Sequence, residues 1–186
     1  ITTDVPVPIR YIPGGTSSGP TVVSYSGAPV AVTDNTPAGV NIVVPVSGVG
    51  NISDLNFSFD GTAGSADPAS TTVGFNHSWV GDIIVKLTSP GGTTVAIFDR
   101  PGVPTSTVGC NNNNLFQLVL NDDGGLPPVE NQGNPSSTGC TTSLAFPTGN
   151  FSPNNPLSAF DGQNADGNWT VNVSDNAAGD TGSVRA

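Results

Sequence analysis

Basic residues are scarce in this sequence, and their scarcity excludes several classes of protein. Four lysines and arginines stand against fourteen aspartates and glutamates, which gives a formal net charge of −10. Proteins that bind nucleic acid or anionic membrane surfaces use clustered positive charge. We therefore expect no nucleic-acid partner and no membrane partner. The sequence also lacks any run near the roughly 20 apolar residues that a membrane-spanning helix needs.

Residues that favour long helices are scarce as well. Methionine is absent and charged residues make up only 10% of the chain, whereas glycine occurs 24 times and proline 17 times. Glycine and proline interrupt helices, and surface helices need charged faces. A helical bundle is therefore excluded. The length of 186 residues fits a single domain.

Apolar residues alternate with polar ones in short runs. In one run, Leu55, Phe57 and Phe59 share one side of a predicted strand, and the run 169–174 repeats the pattern. A period of two is typical of strands with one face in water. With these two, the chain has about nine predicted antiparallel strands, and the others lie at 22–25, 30–33, 42–46, 74–79, 81–88, 93–98 and 115–120. We predict an all-β sandwich or jelly roll.

One predicted hairpin joins the runs 81–88 and 93–98. Its turn at 89–92 reads Ser-Pro-Gly-Gly, in which proline fixes one φ angle and glycine supplies a positive one. Asp82 begins this hairpin, and Arg100, one of the few basic residues, ends it. We predict a partly buried structural ion pair between Asp82 and Arg100.

The two cysteines, Cys110 and Cys140, predict a disulfide bridge. An even number of cysteines in an acidic chain rich in Ser, Thr, Asn and Gly is typical of oxidising compartments, so we expect a secreted protein. Zinc is the alternative, but the sequence has no C-x-x-C or H-x-x-x-H spacing. The bridge would pin the long Asn/Asp/Gly/Pro-rich loop at 121–156.

Few residues are candidates for catalysis or for metal binding. The segment 15–20 has a superficial likeness to the nucleophile segment of subtilisin-type proteases, but the single histidine, His77, lies in a strand pattern that favours a structural role. Three clusters of side-chain oxygens at 121–125, 164–168 and 175–180 offer the ligands that calcium prefers. The same residues are common in ordinary turns. A pair of acidic residues acting as a hydrolase is a third possibility.

Two ordered blocks of the sequence resemble the P domain, or Homo B domain, of proprotein convertases of the kexin and furin type. The block 77–100 has a His, then Gly-Asp and a strand, a Ser-Pro turn to Thr, a second strand and an Arg. The block 157–182 resembles the closing Gly-x-Trp strand and the Asp-rich turn to Gly. The resemblance covers residues 28–184. We accordingly predict a linker or edge segment at 1–27 and a P-domain-like unit at 28–186.

The resemblance implies a jelly-roll sandwich that does no chemistry itself. Such a module packs on and stabilises an attached catalytic domain of the same chain, here a subtilisin-like serine protease. We expect a monomer, with no catalytic residue of its own and with the last strand short or missing, because the family's last strand would begin at Ala186. Structural roles are predicted for four residues: His77, Asp82, Arg100 and Trp169. Candidate calcium ligands, by position, are Asp122, Asp123, Asp175 and Asp180.

A free-standing extracellular binding module is the alternative function. It would bind carbohydrate or a protein surface through the Asn-rich loop at 111–139. Sugar binding usually needs exposed aromatic rings, and this loop offers only Phe116.

Overall fold

The computed structural model describes residues 7–11, 20–103, 105–132 and 144–185. Within these ranges the regular structure is almost entirely β. The strands are β1 Val7–Tyr11, β2 Thr21–Tyr25, β3 Val30–Val32, β4 Thr36–Val46, β5 Leu55–Phe59, β6 Phe75–His77, β7 Ile83–Thr88, β8 Thr94–Asp99, β9 Leu118–Leu120, β10 Gly149–Phe151, β11 Gly167–Asp175 and β12 Gly182–Val184. Short 3-10 helices lie at Val80–Asp82, Val129–Asn131 and Leu157–Phe160. None of these helices is long and apolar enough to cross a membrane.

The strands form three sheets, with the orders β10-β9-β5-β1-β2, β4-β11-β7-β8 and β3-β12-β6. All pairings between these strands are antiparallel except the parallel pair β9–β10. Phe57 and Phe59 of β5 share one buried cluster with Trp169 and Val171 of β11. The five-stranded and four-stranded sheets therefore bury their apolar faces against a common core, as in a sandwich. The fold is an all-β sandwich, as the sequence predicted, and the jelly-roll connectivity stays a prediction.

Each of the nine predicted runs overlaps a strand, although the boundaries differ. The largest difference is in β4, which begins at Thr36 rather than near Ile42. Gly39 lies in this added part with a φ of 67°, and a Cβ there would lie 2.6 Å from the Val173 carbonyl oxygen of β11. The glycine thus permits a close approach of two strands where the alternation of side chains is interrupted.

Three strands lie outside the nine predicted runs. Strands β10 and β12 are three residues long, which is too short for a period of two to stand out. Strand β1 falls within the segment 1–27 and pairs with both β2 and β5, while β2 lies at the end of the sheet order.

The turn between β7 and β8 closes as its residues predict. The Ser89 N–H donates to the Thr93 carbonyl and the Gly92 N–H donates to the Ser89 carbonyl, both at 2.9 Å. Gly92 adopts a φ of 89°, which glycine accepts without steric cost. The hairpin therefore brings residues 82 and 100 to the same end of the sheet.

Candidate functional site

His77 and Asp175 form a fully buried polar pair. His77 ends β6 and Asp175 ends β11, and both side chains have 0% exposure. The imidazole Nε2 lies 3.1 Å from the Asp175 Oδ2. Because β6 and β11 belong to different sheets, this contact joins the sheets through a polar group inside the core.

The other ring nitrogen of His77 is also engaged. The Trp79 N–H donates to Nδ1 at 3.0 Å, so in the neutral ring Nε2 carries the hydrogen and donates to Asp175. The Trp79 carbonyl lies 2.9 Å from the same Nδ1 and accepts when the ring is doubly protonated. With both nitrogens bonded and the ring buried, His77 occupies a structural position. Its role as a strand residue bonded to its neighbours agrees with the sequence prediction.

Asn114 fixes the backbone of His77, and sequence reasoning missed it. The Asn114 N–H donates to the His77 carbonyl and the Asn114 Oδ1 accepts from the His77 N–H, both at 3.0 Å. Its Nδ2 donates to the carbonyls of Ser65 and Asp67 at 2.8 Å. The residue is 1% exposed and has a φ of 61°, a conformation that asparagine tolerates better than most residues. The Asn-rich run was the one signal in the sequence that pointed to it.

The start of the Asn-rich loop is therefore buried rather than displayed. Asn112, Asn113 and Asn114 are each 5% exposed or less. The Asn113 Nδ2 donates to the Ala66 carbonyl at 2.7 Å. These three side chains hold the loop to the sandwich and are not accessible to a ligand. Residues 133–139 of the same loop lie outside the described ranges, as does the segment 15–19.

Asp82 and Arg100 meet at the end of the hairpin, as the sequence predicted. The Arg100 Nη2 lies 3.6 Å from the Asp82 Oδ1, and the two side chains are 22% and 4% exposed. The Arg100 N–H donates to the Ile83 carbonyl, and its Nε donates to the Gly81 carbonyl at 3.0 Å. Arg100 has a φ of 47°, a conformation that few non-glycine residues adopt.

The 3-10 helix Val80–Asp82 places the Asp82 carboxylate. The Val80 N–H donates to the Asn112 carbonyl and the Gly81 N–H donates to the Cys110 carbonyl, both at 2.9 Å. A Cβ on Gly81 would lie 2.3 Å from the Cys110 backbone nitrogen. Only glycine therefore allows this close contact between the turn and the 109–112 segment. Cys110 is fully buried, and the Cys110–Cys140 bridge stays a prediction because Cys140 lies outside the described residues.

A pocket of about 170 Å³ opens beside Asp82. Its walls come from the turn before β7, the loop before Cys110 and the turn that follows β11. The lining residues are Trp79, Asp82, Val108, Ala177, Ala178 and Asp180. We call this cavity the Asp82 pocket. It combines an indole ring, small apolar side chains and two carboxyl groups.

The electrostatics around Asp82 are dominated by negative charge. Burial is the main cause that raises the pKa of Asp82 to about 7, and the Asp175 carboxylate raises it further. Arg100 opposes this shift, whereas Asp180 and Asp34 add to it. A carboxyl group in these surroundings is partly protonated at neutral pH. A positive charge placed in the pocket would favour its ionised form.

Glu130 is a second perturbed carboxyl group, and no sequence signal identified it. Its Oε1 accepts from the Asp99 N–H at 2.7 Å, while its Oε2 is buried without a hydrogen-bond partner in the described structure. Burial raises the pKa of Glu130 to about 8; the Asp99 N–H opposes the shift and the Asp99 carboxylate adds to it. Glu130 thus holds the long loop to the end of β8. With a pKa of about 8, its carboxyl group is mainly protonated at neutral pH.

The four candidate calcium ligands do not meet at one point. Asp175 is paired with His77, and Asp180 accepts a 2.5 Å hydrogen bond from the Ser78 hydroxyl. Asp122 and Asp123 belong to a different acidic group.

In that second group, Asp123, Asp122 and Asp161 all raise the pKa of Asp54, after the larger effect of burial. One Asp122 oxygen is engaged by the Ser158 N–H at 2.8 Å. In the described ranges, no group of three or more His, Cys, Asp or Glu side chains is arranged to hold a metal ion. The four residues therefore do not fit a single calcium site, and calcium binding stays a prediction.

Trp169 lies in the core, as predicted. Its side chain is 1% exposed, and its indole N–H donates to the Ala165 carbonyl at 2.8 Å. The ring packs edge-on against Phe160, with centroids 5.2 Å apart. This tryptophan anchors β11 in the sandwich core and is remote from solvent.

Comparisons of the chain with protein-family models, with curated proteins and with solved structures found no match. The fold defines the class as an all-β sandwich. Because one fold can serve many functions, the function has to be inferred from the contacts of the site and from the pattern of the sequence.

Proposed function

We propose that this chain is a secreted, non-catalytic P-domain-like module that packs on an attached catalytic domain and stabilises it. The attached domain in this proposal is a subtilisin-like serine protease. The proposal depends on the resemblance of two sequence blocks to P domains, and one structural relationship supports it.

That relationship is the meeting of the two blocks in space. Strand β7 of the first block pairs with β11 of the second from Ile83–Asp175 to Thr88–Thr170. His77 and Asp175, which are 98 residues apart in the chain, form the buried pair. Residues that make up a sequence pattern for structural reasons are expected to contact each other in the fold. The pattern thus corresponds to one coherent structural unit.

The polar residues of the pattern also support a structural task. His77 and Asp175 are fully buried, and Asp82 is 3% exposed. In several proteins buried polar groups contribute to a unique arrangement more than to net stability. A sandwich with a specified core presents a rigid surface, and a rigid surface loses little entropy when a neighbouring domain packs on it.

Thermal inactivation of the parent polypeptide tests the proposal. Its catalytic activity is followed at elevated temperature with and without the P-domain-like unit at 28–186. We expect deletion to shorten the half-life of activity severalfold and to leave the KM for a small peptide substrate unchanged. An unchanged half-life would contradict a stabilising role. Protease activity in the isolated domain would contradict a non-catalytic one.

Calcium is a separate part of the proposal, suggested by the resemblance. An ion that binds only the folded state stabilises it by mass action. If calcium binds, chelation with EDTA lowers the Tm by several degrees and added calcium restores it. A Tm that is the same in EDTA and in calcium removes calcium from the proposed function.

A further inference from the structure

The Asp82 pocket has the composition of a site for a positively charged side chain. Its volume of about 170 Å³ far exceeds the roughly 10–15 Å³ that one water molecule requires. Trp79 and Val108 form one wall, and Val108 is 54% exposed although it is apolar. The two carboxyl groups that line the pocket are those of Asp82 and Asp180.

The Asp82 carboxylate is buried yet poorly partnered. Its side chain is 4% exposed, and its ionic contact with Arg100 is long, at 3.6 Å. The Arg100 Nε donates to the Gly81 carbonyl and not to the Asp82 carboxylate. A buried carboxylate normally accepts two or more hydrogen bonds. This one lines a cavity and has acceptor capacity to spare.

The walls of the pocket are fixed before any ligand arrives. The Trp79 indole N–H donates to the Val108 carbonyl at 2.7 Å, which holds the ring at the rim. The Asn176 N–H donates to the Asp82 carbonyl at 2.8 Å, and the Gly179 N–H donates to the Asp34 Oδ1 at 3.0 Å. These bonds tie the turn after β11 to its neighbours. A preorganised site loses little conformational entropy on binding.

We infer that the Asp82 pocket binds the guanidinium group of an arginine side chain presented by a partner polypeptide. A guanidinium group is planar, stacks on an indole ring and donates hydrogen bonds in a fork that matches a carboxylate. The arginine methylene groups would pack against Val108 and Ala177, and the charged end would reach Asp82 and Asp180. The acidic surroundings attract a cation before contact.

Other ligand classes fit the pocket less well. A divalent metal ion needs several oxygen ligands around one point, and most of this lining is apolar. An anion would face two carboxyl groups. A neutral apolar ligand would offer no donor to Asp82 or Asp180 beyond the groups already beside them. The inference goes beyond the proposed function, because it holds whether or not the partner is an attached protease.

A titration followed by two-dimensional ¹⁵N NMR tests the inference on the intact chain. The probe is N-acetyl-arginine amide, and the matched control is N-acetyl-citrulline amide, which has nearly the same shape without the charge. We expect the arginine probe to shift the indole N–H signal of Trp79 and the amide signals of Ala177 and Ala178. We expect a dissociation constant of about 1 mM, because one side chain makes few contacts and binding still costs translational and rotational freedom. The citrulline probe should bind at least about tenfold more weakly.

Two substitutions locate the charge that is recognised. Asp180→Asn removes one carboxylate from the pocket and keeps the acceptor for Ser78, so we expect it to weaken arginine binding about fivefold to tenfold. Asp123→Asn removes the same charge from an exposed residue that does not line the pocket and should leave binding unchanged. Equal loss in both variants would show a nonspecific effect of net charge and would overturn the inference.

Three further outcomes would also overturn it. Equal binding of arginine and citrulline probes would show that the pocket does not recognise charge. Tighter binding of N-acetyl-lysine amide would reject the guanidinium group as the preferred ligand. Calcium ions that shift the same signals and compete with the arginine probe would identify a metal site instead. The wild-type titrations alone decide these outcomes, so they do not depend on the folding of any variant.

Discussion

The His77 imidazole and the Asp175 carboxylate lie 3.1 Å apart, and neither side chain reaches solvent. His77 belongs to the three-stranded sheet and Asp175 to the four-stranded sheet, so the pair joins two sheets inside the core. The Ala177 N–H donates to the second oxygen, Oδ1, of Asp175 at 3.1 Å. The Asp175 carboxylate therefore also fixes the start of the turn that forms one wall of the Asp82 pocket.

Substitution of one member of this pair should destabilise the fold strongly. We expect His77→Ala to lower the free energy of unfolding by about 3–5 kcal/mol, because Asp175 would remain buried without its partner. Urea unfolding monitored by tryptophan fluorescence measures the loss. Asp67→Asn, a change at an exposed residue, is the control and should lie within about 0.5 kcal/mol of wild type. A His77→Ala loss below about 1 kcal/mol would mean that the pair is not structural.

The Asp82–Arg100 contact predicts a linked change in stability and in titration. Arg100→Met should lower the free energy of unfolding by about 1–3 kcal/mol, since Asp82 then loses the cation beside it. Arg100 lowers the pKa of Asp82, so this substitution should raise that pKa above its value of about 7.

Arg100→Lys is the matched variant, because it keeps the positive charge and removes the Nε donor to Gly81. It should show a smaller change in both quantities. NMR of the carboxyl carbons gives the pKa of Asp82, and thermal unfolding gives the stability. An Arg100→Met protein with an unchanged Tm and an unchanged Asp82 titration would contradict the pairing.

The raised pKa values predict that the domain is more stable in mild acid than in mild base. Burial raises the pKa of Asp82 to about 7 and that of Glu130 to about 8, from ordinary values of 3.8 and 4.5. Between these limits the folded protein holds more protons than the unfolded chain, so the free energy of unfolding falls as pH rises. We expect the Tm to be several degrees higher at about pH 5 than at about pH 8.5.

Glu130→Gln separates the contribution of Glu130 to the pH dependence of stability from that of Asp82. The variant removes the ionisable group and keeps an oxygen that accepts from the Asp99 N–H. Its Tm should exceed that of wild type above about pH 8 and should depend less on pH. Thermal unfolding at constant ionic strength provides the comparison. A wild-type Tm that rises between about pH 5 and about pH 8.5 would refute the expected direction of the pH dependence.

Gly81 should not tolerate a side chain. A Cβ at this position would lie 2.3 Å from the Cys110 backbone nitrogen and 2.7 Å from the Gly109 carbonyl carbon. Gly81→Ala should therefore cost about 1–3 kcal/mol and displace the Val80–Asp82 turn. Gly124→Ala is the control, since a Cβ there meets nothing within 4 Å. Equal stability of the two variants in urea unfolding would show that the close approach carries no cost.

Much of the fold was predictable because its strands are amphipathic. Leu55, Phe57 and Phe59 alternate with polar residues, and all three are buried in β5. Asn56 and Ser58 between them are buried too, so the expected face in water is wrong for this strand. The hairpin turn was predictable for a local reason, since proline and glycine set its φ angles. Once the hairpin was predicted, counting residues outward from its turn along the two strands placed Asp82 close to Arg100. These features depend on neighbours in the chain or across one turn.

The features that the sequence did not predict depend on contacts between segments far apart in the chain. Asn114 looked like a loop residue, yet it is 1% exposed and bonds to both the N–H and the carbonyl of His77. The four acidic residues proposed as calcium ligands share a composition, but the structure separates Asp122 and Asp123 from Asp175 and Asp180. Composition does not indicate which turns meet in space, because turns are placed by the strands that they connect.

The sequence by itself determined a β-rich, acidic domain, because periodicity and net charge are properties of the linear order of residues. It also determined the hairpin and its terminal ion pair. Only the tertiary structure decided which polar side chains are buried, which carboxyl groups are perturbed and where a pocket forms. Burial and electrostatic coupling depend on distances between residues far apart in the chain, and those distances exist only once the sheets have packed.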